Sequence, residues 1–298
     1  MRKHPVIFGV LLLFILGFVI YVFFYRIGAN DSKGRNFSLN DKIGVVTVDG
    51  IIHDSTEIAE QLDAFGSDDS IVAVVLRIDS PGGGVAASQE IYDAVVELKK
   101  KKKVVASMGS VAASGGLLIA CSADKIVANA GTITGSISAI MQFANIEELL
   151  KKIGLKSSVV KSGKYKDIGS PLRDMTTEER KIIQELIDDI YNQFVDVIVR
   201  DRKIPRKKVI AIADGRVFTG RKALEYGLVD KLGGMGEAAK LASQLAGRDG
   251  KYELIYPRKK RESILDYVFE SAANQLIRSI SEKAESWKGV GYLYRTSM

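Results

Sequence analysis

The chain has 298 residues, 46% of them apolar and 27% charged, so it can bury a core and general disorder is excluded. The net charge of +7 permits contact with anionic lipid and gives no sign of nucleic-acid binding. Two histidines and one cysteine (His4, His53 and Cys121) exclude an internal disulfide framework and a Cys/His zinc cluster, and leave almost no means to build a Ser-His-Asp triad.

Residues 5–25 carry no charge. At about 1.5 Å rise per residue, a helix of that length crosses a hydrocarbon core of roughly 30 Å. The run is longer than the apolar region of a cleaved signal peptide, which has about 7–15 residues. Tyr21, Phe23, Phe24 and Tyr25 suit a membrane interface. We therefore expect a membrane anchor over residues 1–26. Arg2 and Lys3 precede the run, and Arg26, Lys33 and Arg35 follow it, so the positive-inside rule does not fix its orientation. The polar stretch 27–41 reads as a tether.

Short β-branched runs come next: Ile43–Val48, Ile71–Ile78, Val104–Ser107, Lys125–Ala128 and Ser157–Val160. Each is too short for a helix and reads as a buried strand. Between them, Ala87–Lys101 puts Ile91, Val95 and Leu98 on one helical face, and Ile146–Lys152 predicts a shorter helix. Strands alternating with helices point to an α/β domain with parallel pairing, over residues 42–257. Thr176 and Glu179 form a capping-box pattern, after which Ile182, Ile183, Leu186, Ile187, Ile190, Phe194, Val195 and Ile198 recur at helical spacing. A short helix is expected from Gly220 and a strand near Leu228–Val229. The last section, 258–298, reads as a basic run (Arg258–Arg261) and an amphipathic helix.

Three unusual turns are expected after three of the predicted strands. They are Asp79–Gly84 (DSPGGG), Met108–Gly116 (MGSVAASGG) and Ser162–Asp167 (SGKYKD). Parallel strands would bring all three to one carboxyl edge, where open α/β sheets bind ligands. Glycines in the first segment expose backbone N–H groups, as an oxyanion hole requires. In the second, small neighbours around Ser114 admit a substrate backbone, and the N–H of Gly115 directly follows the candidate nucleophile. A serine nucleophile needs a base. With histidine scarce, a lysine desolvated at the sheet edge is the chemical candidate, and Lys161, Lys164 and Lys166 all qualify.

The four motifs DSPGGG, MGSVAASGG, SGKYKDIGSP and GRVFTGRKALEYGLVD, in that order, resemble the signal peptide peptidase A family in its short, single-repeat form. The resemblance covers roughly residues 42–235. It implies a spiral fold of the Clp-protease or crotonase kind and a Ser–Lys dyad. Ser114 would be the nucleophile and Lys166 the general base. Gly83 matches the family's oxyanion glycine, with Gly115 beside it. The resemblance also implies ring-like homo-oligomers, no cofactor or metal, and a single-pass anchor in the cell membrane with the catalytic domain outside the cytoplasm. Expected partners are the bilayer and peptides, remnant signal peptides above all, and not nucleic acid. Ser138, in GTITGSISAI (131–140), stands where the family often has glycine. Alternative readings are a stomatin-associated membrane protease of the same class, a crotonase-like acyl-CoA enzyme, and a non-catalytic scaffold.

Overall fold

A computed structural model describes residues 16–18, 41–257 and 291–293. The chain divides into two compact units, Met1–Asn40 and Asp41–Met298. Within the first, Leu16, Gly17 and Phe18 are helical and exposed. The rest of the expected anchor lies outside the described residues, as do the tether up to residue 40 and the basic run and helix expected after residue 257. Among the described residues no helix is long and apolar enough to cross a membrane.

The second unit is built on a mixed sheet. Strand β1 (Asp41–Ile52) pairs in parallel with β2 (Ile71–Gly84), and β2 with β3 (Lys103–Ala113). Helix α1 (Thr56–Ser67) links β1 to β2, and α2 (Val85–Lys99) links β2 to β3. Strand β3 then takes two parallel partners in succession. Val105–Met108 pair with β4 (Lys125–Ala128), and Val111–Ala113 pair with β5 (Ile133–Gly135). Helix α3 (Gly115–Cys121) leads from β3 into β4. After α4 (Glu147–Lys152), α5 (Thr177–Arg202) and α6 (Arg206–Ile210), strand β6 (Val217–Thr219) runs antiparallel to β5. Helix α7 (Gly220–Glu225), β7 (Lys231–Leu232), α8 (Met235–Leu245) and β8 (Tyr252–Ile255) follow, with β7 beside β4 and β8 beside β1. Strand β9 (Gly291–Leu293) lies antiparallel along Gly82–Gly84.

The change of partner along β3 divides the sheet into two tiers at Gly109–Ser110. Backbone groups that lose their ladder bonds there need others, because unpaired buried amides are costly. Asp79 supplies them: its carboxylate accepts from the Ser110 N–H at 3.2 Å and the Val111 N–H at 3.0 Å. The Thr132 hydroxyl donates to the Gly109 carbonyl at 2.7 Å. A Cβ on Gly109 would meet the Asp79 carboxylate at 2.4 Å, so this brace needs glycine.

Both faces of the lower tier are covered, which is why its strands read as continuous apolar runs. Val46, Val48, Leu76, Ile78, Val104, Ala106 and Met108 share a core with Ile91 and Val95 of α2, Leu117–Ile119 of α3 and Phe194 and Ile198 of α5. On the other face Ile43, Ala73, Val75, Val105 and Val127 meet Ala238, Ala239 and Ala242 of α8.

The strands at 43–48, 71–78, 104–107 and 125–128 and the helices at 87–101, 146–152 and from 177 and 220 form where expected. Three expectations need correction. DSPGGG and MGSVAA are not turns but the far ends of β2 and β3. Pro81 is tolerated there because a bulge between Ile78 and Ser80 interrupts the ladder. Ser157–Val160 form no strand. These residues meet no sheet edge, Val160 is 99% exposed, and β propensity has no effect without a pleated surface to pack on. Leu228 and Val229 are buried in the core, and the strand begins at Lys231 instead.

Ile91 is fully buried at the centre of the larger core. Ile91→Ala should lower unfolding free energy by about 2–5 kcal/mol. Denaturant unfolding measures this, and a loss under about 0.5 kcal/mol would contradict the packing.

Candidate active site

Ser114 sits where β3 turns into α3, with φ 54° and ψ −118°. A non-glycine residue at positive φ costs on the order of 1–3 kcal/mol and persists only where its surroundings enforce it. Here its N–H donates to the Gly135 carbonyl at 2.8 Å, and its carbonyl accepts from the Leu118 N–H at 3.0 Å. Such a sharp strand-to-helix turn is how α/β hydrolases present a nucleophile. Ser114 is 0% exposed. Among the described residues its Oγ is the one buried side-chain polar atom with no hydrogen-bond partner. Leaving a buried hydroxyl unpaired costs about 1–3 kcal/mol. Strain and an unpaired hydroxyl at one residue mark a group kept for chemistry.

The glycines around Ser114 are dictated by close approach. A Cβ on Gly115 would lie 2.4 Å from Ser88 Oγ and 3.5 Å from the Gly82 Cα, so the serine turn packs directly on the glycine-rich end of β2. A Cβ on Gly116 would lie 3.0 Å from the Ser80 carbonyl oxygen. On Gly83 it would fall 2.1 Å from the Ile52 carbonyl oxygen, a backbone clash with β1 that no rotamer relieves. Ser80 and Ser88, both buried, fix this segment: Ser80 Oγ accepts from the Gly82 N–H at 3.1 Å, and Ser88 Oγ donates to the Gly84 carbonyl at 2.8 Å. The pairing of β9 with Gly82–Gly84 demonstrates that this edge accepts an extended chain in antiparallel register.

Other nucleophile and base candidates fall away. Burial pushes the Cys121 thiol up to about 12, far from a reactive thiolate. His53 follows β1, is exposed, and makes no hydrogen bond to Ser114. Of the three lysines, Lys161 is ion-paired to Asp167, and its ammonium also donates to the Lys164 carbonyl at 2.8 Å. Lys164 is ion-paired to Glu178, which together with Tyr165 holds its ammonium above the ordinary lysine range. Lys166 is exposed and has no side-chain partner among the described residues. The structure thus packs the Ser114–Gly115 turn against Gly82, the neighbour of Gly83. It does not hydrogen-bond Lys166 to Ser114 within one chain, nor bury it as a sheet-edge base would be.

Sequence reasoning missed the Asp79 brace and Arg173. The Arg173 guanidinium donates to both Asp167 oxygens at 2.9 Å and to the two Glu179 oxygens at 2.8 and 2.5 Å. The signal was present in the placement of an arginine between YKD and the capping box. Ser138 packs beside Gly215, with 3.6 Å between its Cβ and the position of a Gly215 Cβ.

A strained serine at a strand-to-helix turn, facing a glycine edge in a two-tiered α/β sheet, defines a protein of the Clp-protease kind. The Clp protease profile matches residues 37–153. The profile of peptidase family S49 matches residues 96–249, more than half the sequence, and the chain belongs to that family. It is 51% identical over 177 residues to a candidate protease of Synechocystis sp., covering 59% of this chain and 64% of that protein. It is 36% identical over 208 residues to a candidate signal peptide peptidase SppA of Enterococcus faecium, covering 65% and 60%. Similarity to Protease 4 of Haemophilus influenzae is 34% over 224 residues, covering 72% and 36%. The chain spans less than two thirds of each of these relatives.

Two predictions follow from this geometry. Gly83→Ala should displace β1 from β2, lower the melting temperature by several degrees and abolish labelling of Ser114 by a fluorophosphonate; unchanged labelling would refute the close approach. The second concerns the Arg173 cluster. Arg173 holds the Asp167 carboxyl well below its usual range and Glu179 at about 2. Depressed carboxyls stabilise the fold above their unfolded values, about 4, and lose that contribution as pH falls through the folded ones. The protection factors of the amides over residues 163–175, which remove the intrinsic pH dependence of exchange, should therefore stay constant from neutral pH down to about 4.5 and fall below it; onset near pH 6 would contradict the pairing.

Proposed function

We propose that this chain is a membrane-anchored serine endopeptidase working through a Ser114–Lys166 dyad. The observation that carries the reading is the buried, unpartnered Oγ of Ser114 at positive φ. The scheme is acyl transfer. A neutral Lys166 amine takes the Ser114 proton as Oγ attacks the peptide carbonyl. The N–H groups of Gly83 and Gly115 hold the oxyanion, Lys166 then protonates the leaving amine, and water hydrolyses the acyl-enzyme. No step calls for a metal or an organic cofactor.

The amine comes from a neighbouring copy of the chain in a ring-like homo-oligomer. This reading is supported by the absence of a Lys166–Ser114 bond within one chain and by an apolar surface near the lysine loop. Ile140, Phe143, Leu149, Ile153, Leu155 and Val160 are exposed, as are Ile182 and Leu186 in the N-terminal half of α5. Each such side chain gains about 1.5–3 kcal/mol when fully buried, so a second copy is the natural cover. The apolar run 5–25 would anchor the ring in the cell membrane, with the catalytic unit on the extracytoplasmic side. Remnant signal peptides and other small or apolar peptides are then the substrates, laid as a strand along Gly82–Gly84 in the place that β9 takes in this structure.

Purified Ser114→Ala and Lys166→Ala should each lose peptide cleavage by at least about 10³-fold and keep their fold and assembly. Mixing the two dead variants under subunit exchange should restore activity, because some sites then pair an intact serine with a neighbour's intact lysine. Near-normal turnover in either single variant removes that residue from the dyad. Mixtures that stay dead count against a shared site. Leu149→Asp should dissolve the oligomer, read as particle mass, and take activity with it.

A further inference from the structure

The segment carrying Lys166 has no strand to hold it: residues 155–175 make no ladder with the sheet. Backbone bonds order it locally, with the Lys166 N–H donating to the Gly163 carbonyl at 3.1 Å and the Ile146 N–H to the Pro171 carbonyl at 2.8 Å, and side chains join it to α5. Tyr165 and Lys164, on one side of Lys166, bond to Glu178. Asp167, on the other side, bonds to Arg173 and Lys161.

Arg173 is the centre of this arrangement. Two of its nitrogens engage Asp167, at 2.9 Å each, and two engage Glu179. It also donates to the backbone carbonyl of Asp174 at 3.0 Å and that of Asp167 at 3.3 Å. Glu179 is itself fixed. It is 3% exposed, and it closes the capping box of α5 by accepting from the Thr176 N–H at 2.9 Å while its own N–H donates to Thr176 Oγ1 at 3.2 Å. A continuous chain of charge-assisted bonds thus runs from the first turn of α5 through Glu179 and Arg173 to Asp167, one residue from the candidate base. Only a planar guanidinium offers enough donors in a fixed fork to hold two carboxylates and two carbonyls at once. The two cations, Arg173 and Lys161, balance the two carboxylates, so the cluster brings rigidity beside Lys166 without adding net charge.

We propose that Arg173 is a positioning residue for the peptidase reaction, bridging Asp167 to Glu179 and thereby fixing the Lys166 turn on the N-terminus of α5. This rests on the reading of Lys166 as the base. Arg173 does not touch the reacting atoms. It sets where the amine stands, and a displacement near 1 Å in such a group costs on the order of 10²-fold in rate.

The test uses the full-length protein, a small apolar peptide substrate, and the variants Arg173→Ala, Arg173→Lys, Asp167→Asn and the Arg173→Ala/Asp167→Asn pair. Arg173→Ala should lower kcat by about 10²-fold with KM within about threefold of wild type. Particle mass should not change. Arg173→Lys, which keeps the charge but not the fork, should fall between. The paired variant should lose no more than the worse single one, since both break the same link. Millimolar guanidinium should restore part of the Arg173→Ala rate, and urea should not. Wild-type kcat in Arg173→Ala, a loss confined to KM, or additive losses in the pair would overturn the proposal. If Arg173→Ala fails to assemble, Arg173→Lys decides: a drop of tenfold or more in kcat supports the link, and a wild-type kcat refutes it. Lys166→Ala separates the two layers of inference. If it is dead while the Arg173 variants are normal, only the positioning role falls. If it is active, the base assignment and the positioning role fall together.

Discussion

The site depends on one constraint: β3 must become α3 without a spare residue between them. Ala113 is the last residue of the strand and Gly115 the first of the helix, so Ser114 takes the whole change of direction at φ 54°. The constraint is met because both neighbours of the turn are held. The Gly135 carbonyl on β5 accepts from the serine N–H, and the Leu118 N–H of α3 donates to the serine carbonyl. The small residues around it follow from the same demand. Larger side chains at Gly115 or Gly116 would push the turn off the end of β2 and separate the serine from the edge it faces.

That edge exists because the sheet changes partners partway along β3. The lower tier is a conventional buried parallel sheet, packed on both faces and insensitive to chemistry. The upper tier, made of the ends of β2 and β3 with β5, β6 and β9, carries the glycines and the serine. Asp79 joins the tiers by replacing the ladder bonds lost at the break, and so supports the end of β3 that leads into Ser114.

Much of this was legible in the sequence for simple physical reasons. Val74, Leu76 and Ile78 are apolar and β-branched or branched at γ because they are buried, and buried parallel strands announce themselves by composition. Thr176 and Glu179 announced the start of α5 because a capping box is a local bond pattern. Ser114 was legible because small residues crowd it. What failed were inferences that needed a partner. Pro81 and the run of glycines after it read as a turn, since nothing in the chain reveals that β1 lies close enough to keep them extended. Val159 and Val160 read as a strand, since propensity does not say whether a sheet edge is nearby. The periodic stripe of α5 read as one core face. In the structure only Ile190, Phe194, Val195 and Ile198 are buried, while Ile182 and Leu186 face outward. Arg173 was passed over because its place between YKD and the capping box gains meaning only when the fold brings both carboxylates to it.

Helix α5 therefore behaves as a lever. Its root, around Phe194 and Ile198, is clamped in the core, and its tip carries Glu179 and the clasp on the lysine loop. From Val195 to Glu179 is about 24 Å of rod at 1.5 Å per residue. A tilt of about 2° at the root swings the tip by roughly 0.8 Å, a distance small for folding and large for proton transfer. Packing faults deep in the hydrophobic interior are thus magnified before they reach the lysine loop, and the tolerance of the proposed site to mutation should be set less by how firmly the chain stays folded than by how straight one rod stands.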